Sequence, residues 1–171
     1  MKTIWRNIDN YDKQMQEYHN YHKKYSNKEE TIKKYFLRDS TGHYAKAVDL
    51  ICSAIERKMP IFISGDYDVD GMTSVAILYR GISEVYEDVQ WWVPDRTTNG
   101  YGLDVSVIAS KVSKTPALII AVDTGITEVD KCITLISRGY QILILDHHIP
   151  DMNNLPDADV IVDPKCFADQ T

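Results

Sequence analysis

The sequence predicts a doubly wound α/β fold: a mainly parallel sheet of about five strands with helices on both faces, preceded by an N-terminal helical segment. Three observations predict it. Apolar runs and amphipathic stretches alternate from residue 45 onward. The apolar runs are continuous, as strands covered on both faces require. Four of those runs end in charged clusters: Asp66, Asp68 and Asp70 after 59–64, Asp95 and Arg96 after 89–93, Asp123 after 117–122, and Asp146, His147 and His148 after 141–145. Ligands of an open parallel sheet bind beyond the carboxyl ends of its strands, so the four clusters should meet on one edge.

The elements follow in order. Tyr11, Met15, Tyr18, Tyr21 or His22, and Tyr25 recur at helical spacing, which predicts a helix over 10–25 and, past Ser26 and Asn27, a second over 29–37. Lys23 and Lys24 suit the end of the first helix dipole. His19 and His22 read as a helix flank rather than a metal pair. Ala45, Val48, Leu50, Ile51, Ala54 and Ile55 make an amphipathic helix over 44–58. A strand at 61–64 and a loop at 65–71 come next. A helix over 72–85 then carries Val75, Ala76, Leu78, Tyr79 and Ile82. Beyond it lie a strand at 89–93, a loop with two glycines at 94–102, a short helix at 103–112 and a strand at 117–122. A helix over 128–137 is stopped by Gly139. Strands at 142–145 and 159–162 complete the sheet before Asp163 and Pro164. Residues 1–38 are thus an N-terminal helical segment and 39–171 an α/β metal-binding domain.

The chain has 171 residues, 44% apolar and 26% charged, the composition of a globular protein with a real core. Its first residues lack a signal-peptide apolar core, and no stretch approaches the roughly 18 apolar residues of a membrane span. A cytoplasmic protein is expected. Cys52, Cys132 and Cys166 are isolated, without the CxxC spacing of a zinc-thiolate site. Cys52 and Cys132 fall in apolar helical patterns and are expected to be buried thiols. Charge is uneven. Residues 1–38 hold nine Lys/Arg against five Asp/Glu, a net of +4, and 39–171 hold ten against twenty, a net of -10, which gives the chain its -6. An acidic body excludes a general nucleic-acid binder, because phosphate affinity comes from clustered Lys and Arg. Bound divalent cations would cancel part of that charge, and the basic N-terminal segment offers either a phosphate-attracting face or a plain solvated helix surface.

The segment GDYDVDGMTS at 65–74 is the strongest. In an extended loop alternate side chains share a side, so Asp66, Asp68 and Asp70 would face one centre. Thr73 and Ser74 would lie in the first turn of the next helix, where free N–H groups favour a phosphate. The plain alternative is a solvated acidic turn. Asp146 with His147 and His148 is the second anchor; carboxylate plus imidazole at a strand end suits Mn²⁺, Mg²⁺ or Zn²⁺. Adjacent histidines do not readily share one ion, so one should ligate and the other face substrate. Asp123 is placed to bridge two ions. Arg96 can fork onto a phosphate. Gly100, Tyr101 and Gly102 allow close backbone approach to a ligand, or make an ordinary mobile loop.

Taken together, GDYDVDGMTS, PDRTTNGYGL, VDTGIT and DHH, in that order and spacing, resemble the DHH phosphoesterase superfamily. The GDYDxDG form and the GYGL loop are similar to its RecJ-type single-stranded-DNA exonucleases. Over about 35–165 the resemblance implies a hydrolase with two divalent ions, Mn²⁺ or Mg²⁺, acting in DNA recombination or repair. By position it implies Asp68, Asp70, Asp123 and His147 as metal ligands with Asp66 in the same cluster. It implies Asp146 as support for the adjacent histidine and His148 as the contact to the scissile phosphate. Two ions about 3.5–4 Å apart would clamp that phosphate and activate water. The resemblance also implies a later metal-binding aspartate, which neither Asp163 nor Asp169 matches, then a connecting helix and a DHHA1-type domain. The expectation is therefore a DHH domain without that second half.

Three functions compete on the sequence alone. One is a phosphodiesterase acting on single-stranded DNA or a short oligonucleotide. Another is a binding or regulatory protein that needs a protein partner supplying the missing half. The last is a haloacid-dehalogenase-type phosphatase, because Asp68-Val69-Asp70-Gly71 also fits a DxDG start with Asp68 as nucleophile.

Overall fold

Strand residues that are apolar on both faces have to be covered on both, and that requirement builds this domain. A computed structural model describes residues 42–95, 97 and 101–166. The expected helices at 10–25 and 29–37, His19, His22, Arg96, Gly100 and Asp169 lie outside the described residues. The chain divides into two units, Met1–Ser40 and Thr41–Thr171, and the second holds every described residue.

Its elements are α1 (His43–Glu56), β1 (Ile61–Gly65), α2 (Val69–Ser83), β2 (Val89–Trp92), α3 (Val105–Lys111), β3 (Ala117–Val122), α4 (Val129–Ser137), β4 (Tyr140–Leu145), β5 (Val160–Val162) and a 3-10 turn (Pro164–Cys166). The sheet has five strands in the order β2-β1-β3-β4-β5. Every pairing is parallel, with Gly65 beside Val122, Val122 beside Leu145 and Leu145 beside Val162. The carboxyl ends of β1, β3, β4 and β5 are therefore level, and the residues after them share one rim.

Successive strand residues point to opposite faces. Ile61, Ile63, Leu118, Ile120 and Leu143 enter one core with Ala54 of α1 and Val75 of α2. Phe62, Ile119, Ala121, Ile142 and Ile144 enter the other with Ile108 of α3 and Cys132 and Leu135 of α4. Burying such side chains contributes about 1.5–3 kcal/mol each.

Four expectations are corrected. α2 begins at Val69, not at residue 72, because Asp68 caps it. β2 ends at Trp92 and β5 begins at Val160, each one residue inside the apolar run. Cys52 is exposed, since the apolar stripe of α1 turns Ala47 and Ala54 inward instead; Cys132 is buried, and burial pushes its thiol up to about 11.

Candidate metal centre

The β1 arm turns a corner that the sequence pattern does not reveal. Asp66, buried, directly follows β1, and its Oδ1 accepts the Tyr67 N–H at 2.7 Å. Asp68 is the N-cap of α2 and accepts the Gly71 N–H at 3.1 Å. Asp70 stands in the first helical turn. The three aspartates are thus not an alternating loop. They occupy a strand end, a cap and a helix, yet still converge. Gly71 permits the corner: a Cβ there would lie 2.4 Å from the Asp66 carbonyl oxygen, so only glycine lets the helix press so close.

The early start of α2 also corrects the expected role of Thr73 and Ser74. The free N–H groups of a helix belong to its first four positions. The backbone ladder is already closed at Met72, whose N–H bonds the Asp68 carbonyl at 2.9 Å. The Thr73 hydroxyl is spent on the Val69 carbonyl at 2.7 Å. Neither residue offers a free N–H to a phosphate.

Asp123 follows β3 with its backbone in the left-handed region, φ 57. That conformation costs of the order of 1 kcal/mol outside glycine and needs support from the surrounding structure. It turns the carboxylate into the centre. Both oxygens are buried, and among the described residues no hydrogen bond reaches them apart from the ion-pair contact of a histidine ring. His147 Nε2 stands 3.0 Å from Oδ1, and also 3.8 Å from Asp70 Oδ2. Burial raises the Asp123 pKa, and the charges of Asp70 and Asp68 raise it further. Burial likewise raises Asp66, with Asp68 adding to it, whereas the Gly71 N–H bond holds Asp68 below the usual carboxylate range.

Asp146 follows β4 and is treated differently. Its Oδ1 accepts the N–H groups of His147 at 2.7 Å and His148 at 3.1 Å, and the His148 ring Nδ1 sits at 2.7 Å. Its Oδ2 accepts the Ile126 N–H at 3.1 Å. Burial alone would raise its pKa, but these bonds, led by Ile126, hold it below the ordinary value. Burial would lower His148, but Asp146 and the charges of Asp123 and Asp66 outweigh it, so the imidazole pKa sits above the usual one. The carboxylate thus orients His148 through its ring and His147 only through its peptide.

Tyr101 stands edge-on to His148 and to Tyr67, with ring centroids 6.4 Å apart in both cases. Gly102, in the left-handed region, lies beside it. The Lys165 ammonium, from the turn after β5, bonds the His147 carbonyl. Asp163 is fully buried at the end of β5, and burial raises its pKa; its Oδ1 accepts the Lys165 N–H at 2.8 Å. Lys165 and Tyr67 escaped the sequence reading. The rule that strand ends carry the site would have reached Lys165 had it been applied to the fifth strand.

Among the described residues, two groups of side chains can each offer three ligand atoms within 4.8 Å of one another: Asp66, Asp68 and Asp123, and Asp123, His147 and His148. Asp123 is common to both. A buried carboxylate is costly unless a cation pairs with it, and carboxylate with imidazole suits a divalent ion. The residues fit a divalent metal.

This five-stranded parallel sheet with an acid-and-histidine rim defines a class, and comparison places the chain in it. Residues 60–170 match the model for the DHH family, N-terminal domain. The chain belongs to that family. It is 36% identical over 121 residues to the single-stranded-DNA-specific exonuclease RecJ of Haemophilus influenzae, covering 70% of this chain and 21% of that protein. Against the RecJ of Bacillus subtilis it is 38% identical over 120 residues, 70% of this chain and 15% of the relative. A crystal structure of exonuclease RecJ bound to manganese superposes with a TM-score of 0.64 at 31% identity, over 75% of this chain and 32% of the other. The chain thus spans about a fifth of the length of the first of these curated relatives and less of the second. Membership in the DHH family removes the haloacid-dehalogenase alternative. Among the described residues no helix is long and apolar enough to cross a membrane.

Proposed function

We propose that this domain hydrolyses phosphodiester bonds of single-stranded DNA with two divalent ions, Mn²⁺ or Mg²⁺. The observation that carries the reading is Asp123, a buried carboxylate strained into the centre, faced by the His147 ring and shared by two ligand groups. Support comes from relatives named as single-stranded-DNA-specific exonucleases and from a related exonuclease structure bound to manganese.

In this reading Asp66, Asp68 and Asp123 would hold one ion, and Asp123, His147 and Asp70 would hold the other. The ions would supply charge that neutralises the phosphate and makes water acidic enough to attack near neutral pH. The residues of the chain do the rest. His148 has its Nδ1 committed to Asp146, which leaves Nε2 to face the phosphate. Its raised pKa favours the imidazolium, a hydrogen-bond donor to a phosphate oxygen and a proton source for the leaving oxygen. Tyr101 closes one side of the imidazole. Arg96, Gly100 and Gly102 belong to the phosphate-binding loop in the same reading. A single strand, with its bases unstacked, reaches such an open rim more easily than a duplex does.

The test is hydrolysis of end-labelled single-stranded DNA by the full chain with added Mn²⁺. Expected is cleavage that stops on chelation and is lost in Asp123→Ala. A chain that binds two equivalents of Mn²⁺ by calorimetry yet cleaves no phosphodiester would overturn the reading.

A further inference from the structure

Glu128 caps the start of α4, outside both ligand groups, and its surroundings are unusual for a carboxylate. Its side chain is only 9% exposed. It presses against the main chain of Gly102, where a Cβ would stand 2.1 Å from Glu128 Oε1. Gly102 has φ +84, a backbone conformation side chains rarely adopt, and a Cβ there would have to displace the Glu128 carboxylate. Glu128 Oε2 pairs with Lys131 Nζ at 2.6 Å, and the same ammonium reaches the Tyr101 carbonyl at 3.4 Å. A carboxylate this enclosed is costly unless a charge compensates it. Lys131 is that charge, and its remaining donors go to the loop rather than to solvent alone.

The loop pinned in this way carries the ring that touches the site. Tyr101 meets His148 with planes at 88° and Tyr67 with planes at 79°, both edge-to-face. His148 is held at Nδ1 by Asp146 and flanked by Tyr101. The imidazole therefore has one restraint from its hydrogen bond and another from a loop that Glu128 and Lys131 fasten to α4.

We propose that Glu128 is a positioning residue: with Lys131 and Gly102 it anchors the main chain at Tyr101, and so holds the Tyr101 ring against His148 in the aim required at the phosphate. This rests on the hydrolase reading for its consequence in rate, but not for its geometry.

The experiment uses the full chain with the variants Glu128→Gln, Lys131→Gln, Lys131→Arg and Tyr101→Leu. Two readouts are taken. The first is the His148 ring Hε1 resonance by NMR, which feels the ring current of Tyr101 and needs no activity. Expected is that Glu128→Gln and Lys131→Gln move it toward its position in Tyr101→Leu, whereas Lys131→Arg keeps it near wild type. The second is steady-state hydrolysis with Mn²⁺. Glu128→Gln should lower kcat roughly three- to tenfold with little change in KM, since small misplacements of a reacting group are felt in the rate. Glu128→Gln with Tyr101→Leu should lose no more than Tyr101→Leu alone, the signature of one shared interaction. A wild-type His148 resonance in both Glu128→Gln and Lys131→Gln would overturn the proposal, as would losses that multiply in the double variant. Should Glu128→Gln fail to fold, Lys131→Gln, at a side chain 40% exposed, carries the same test. An inactive wild type would count against the hydrolase reading and leave the NMR outcome to decide this one.

Discussion

Asp123 and Asp146 end neighbouring parallel strands, both are buried, and each stands one residue past the paired residues Val122 and Leu145. There the likeness stops. Asp146 is saturated by donors on both oxygens and its pKa is lowered. Asp123 has a strained backbone, a raised pKa and, facing it, only the exposed His147 ring 3.0 Å from Oδ1 among the described residues. Burial raises both carboxylates, so the opposite sign of their shifts lies in what was built around them. One is a structural carboxylate, satisfied by the chain itself. The other keeps its charge with far fewer donors around it, an environment that suits a cation.

The largest effect expected from breaking this contrast is at Asp123. Asp123→Asn should lower Mn²⁺-dependent hydrolysis by roughly two to three orders of magnitude, because it removes the charge proposed to be shared by both ions. The same change should stabilise the metal-free chain. A neutral amide ends the repulsion from Asp68 and Asp70 and can donate to them, and relief of one unsatisfied buried group is worth about 1–3 kcal/mol. Melting of the metal-free protein should then rise by several degrees. A fall in both activity and metal-free melting temperature would make Asp123 an ordinary structural residue. Acid works in the same direction. A carboxyl whose folded pKa is raised disfavours the fold above that pKa and relieves it as pH falls, so the advantage of Asp123→Asn over wild type should shrink at low pH.

Asp146 should behave in the opposite sense. Its folded pKa is lowered, so its contribution is present above the unfolded carboxylate value of about 3.9 and is lost as pH falls through the folded one. Asp146→Asn should destabilise the metal-free chain by about 1–3 kcal/mol at neutral pH. It should cut activity by roughly 10- to 100-fold, as loss of a residue orienting a site histidine does. The His148 titration followed by NMR should move down, because Asp146 is the chief group raising it. His148 with an unchanged midpoint in this variant would refute the assigned support.

How much of this was legible in the sequence follows from the same physics. The strands were legible because two-sided burial leaves continuous apolar runs at 61–64, 117–122 and 142–145. The convergence of Asp66, Asp68, Asp70, Asp123, His147 and His148 followed from parallel topology alone. What sequence could not show was the geometry inside the corners. GDYDVDG alternates like an extended loop, but Asp68 is a better helix cap than a loop residue, and Gly71 allows the helix to start early. That single local preference moved Thr73 and Ser74 out of the anion-binding turn. Nor could spacing distinguish Asp146 from Asp123. Their fates depend on donors from Ile126 and from the His147 and His148 peptides, which only the folded chain brings to one carboxylate.

The smallest effect expected sharpens the contrast on the β4 side. The His147 residue is held at both ends of its main chain: Asp146 accepts from its N–H, and the Lys165 ammonium donates to its carbonyl. The ring itself is exposed and owes its place near Asp123 and Asp70 to that backbone. Lys165 is exposed as well, and water can replace an exposed donor at little cost. Lys165→Met should therefore weaken Mn²⁺ binding only about two- to fivefold, with melting of the metal-free chain almost unchanged. Calorimetry separates this from a charge effect, because Lys165→Arg should restore affinity while Lys165→Met tightens none of the carboxylate ligands. If Lys165→Met instead binds Mn²⁺ more tightly, the ammonium acts mainly as a repelling charge beside the ions, and the anchoring of His147 rests on Asp146 alone.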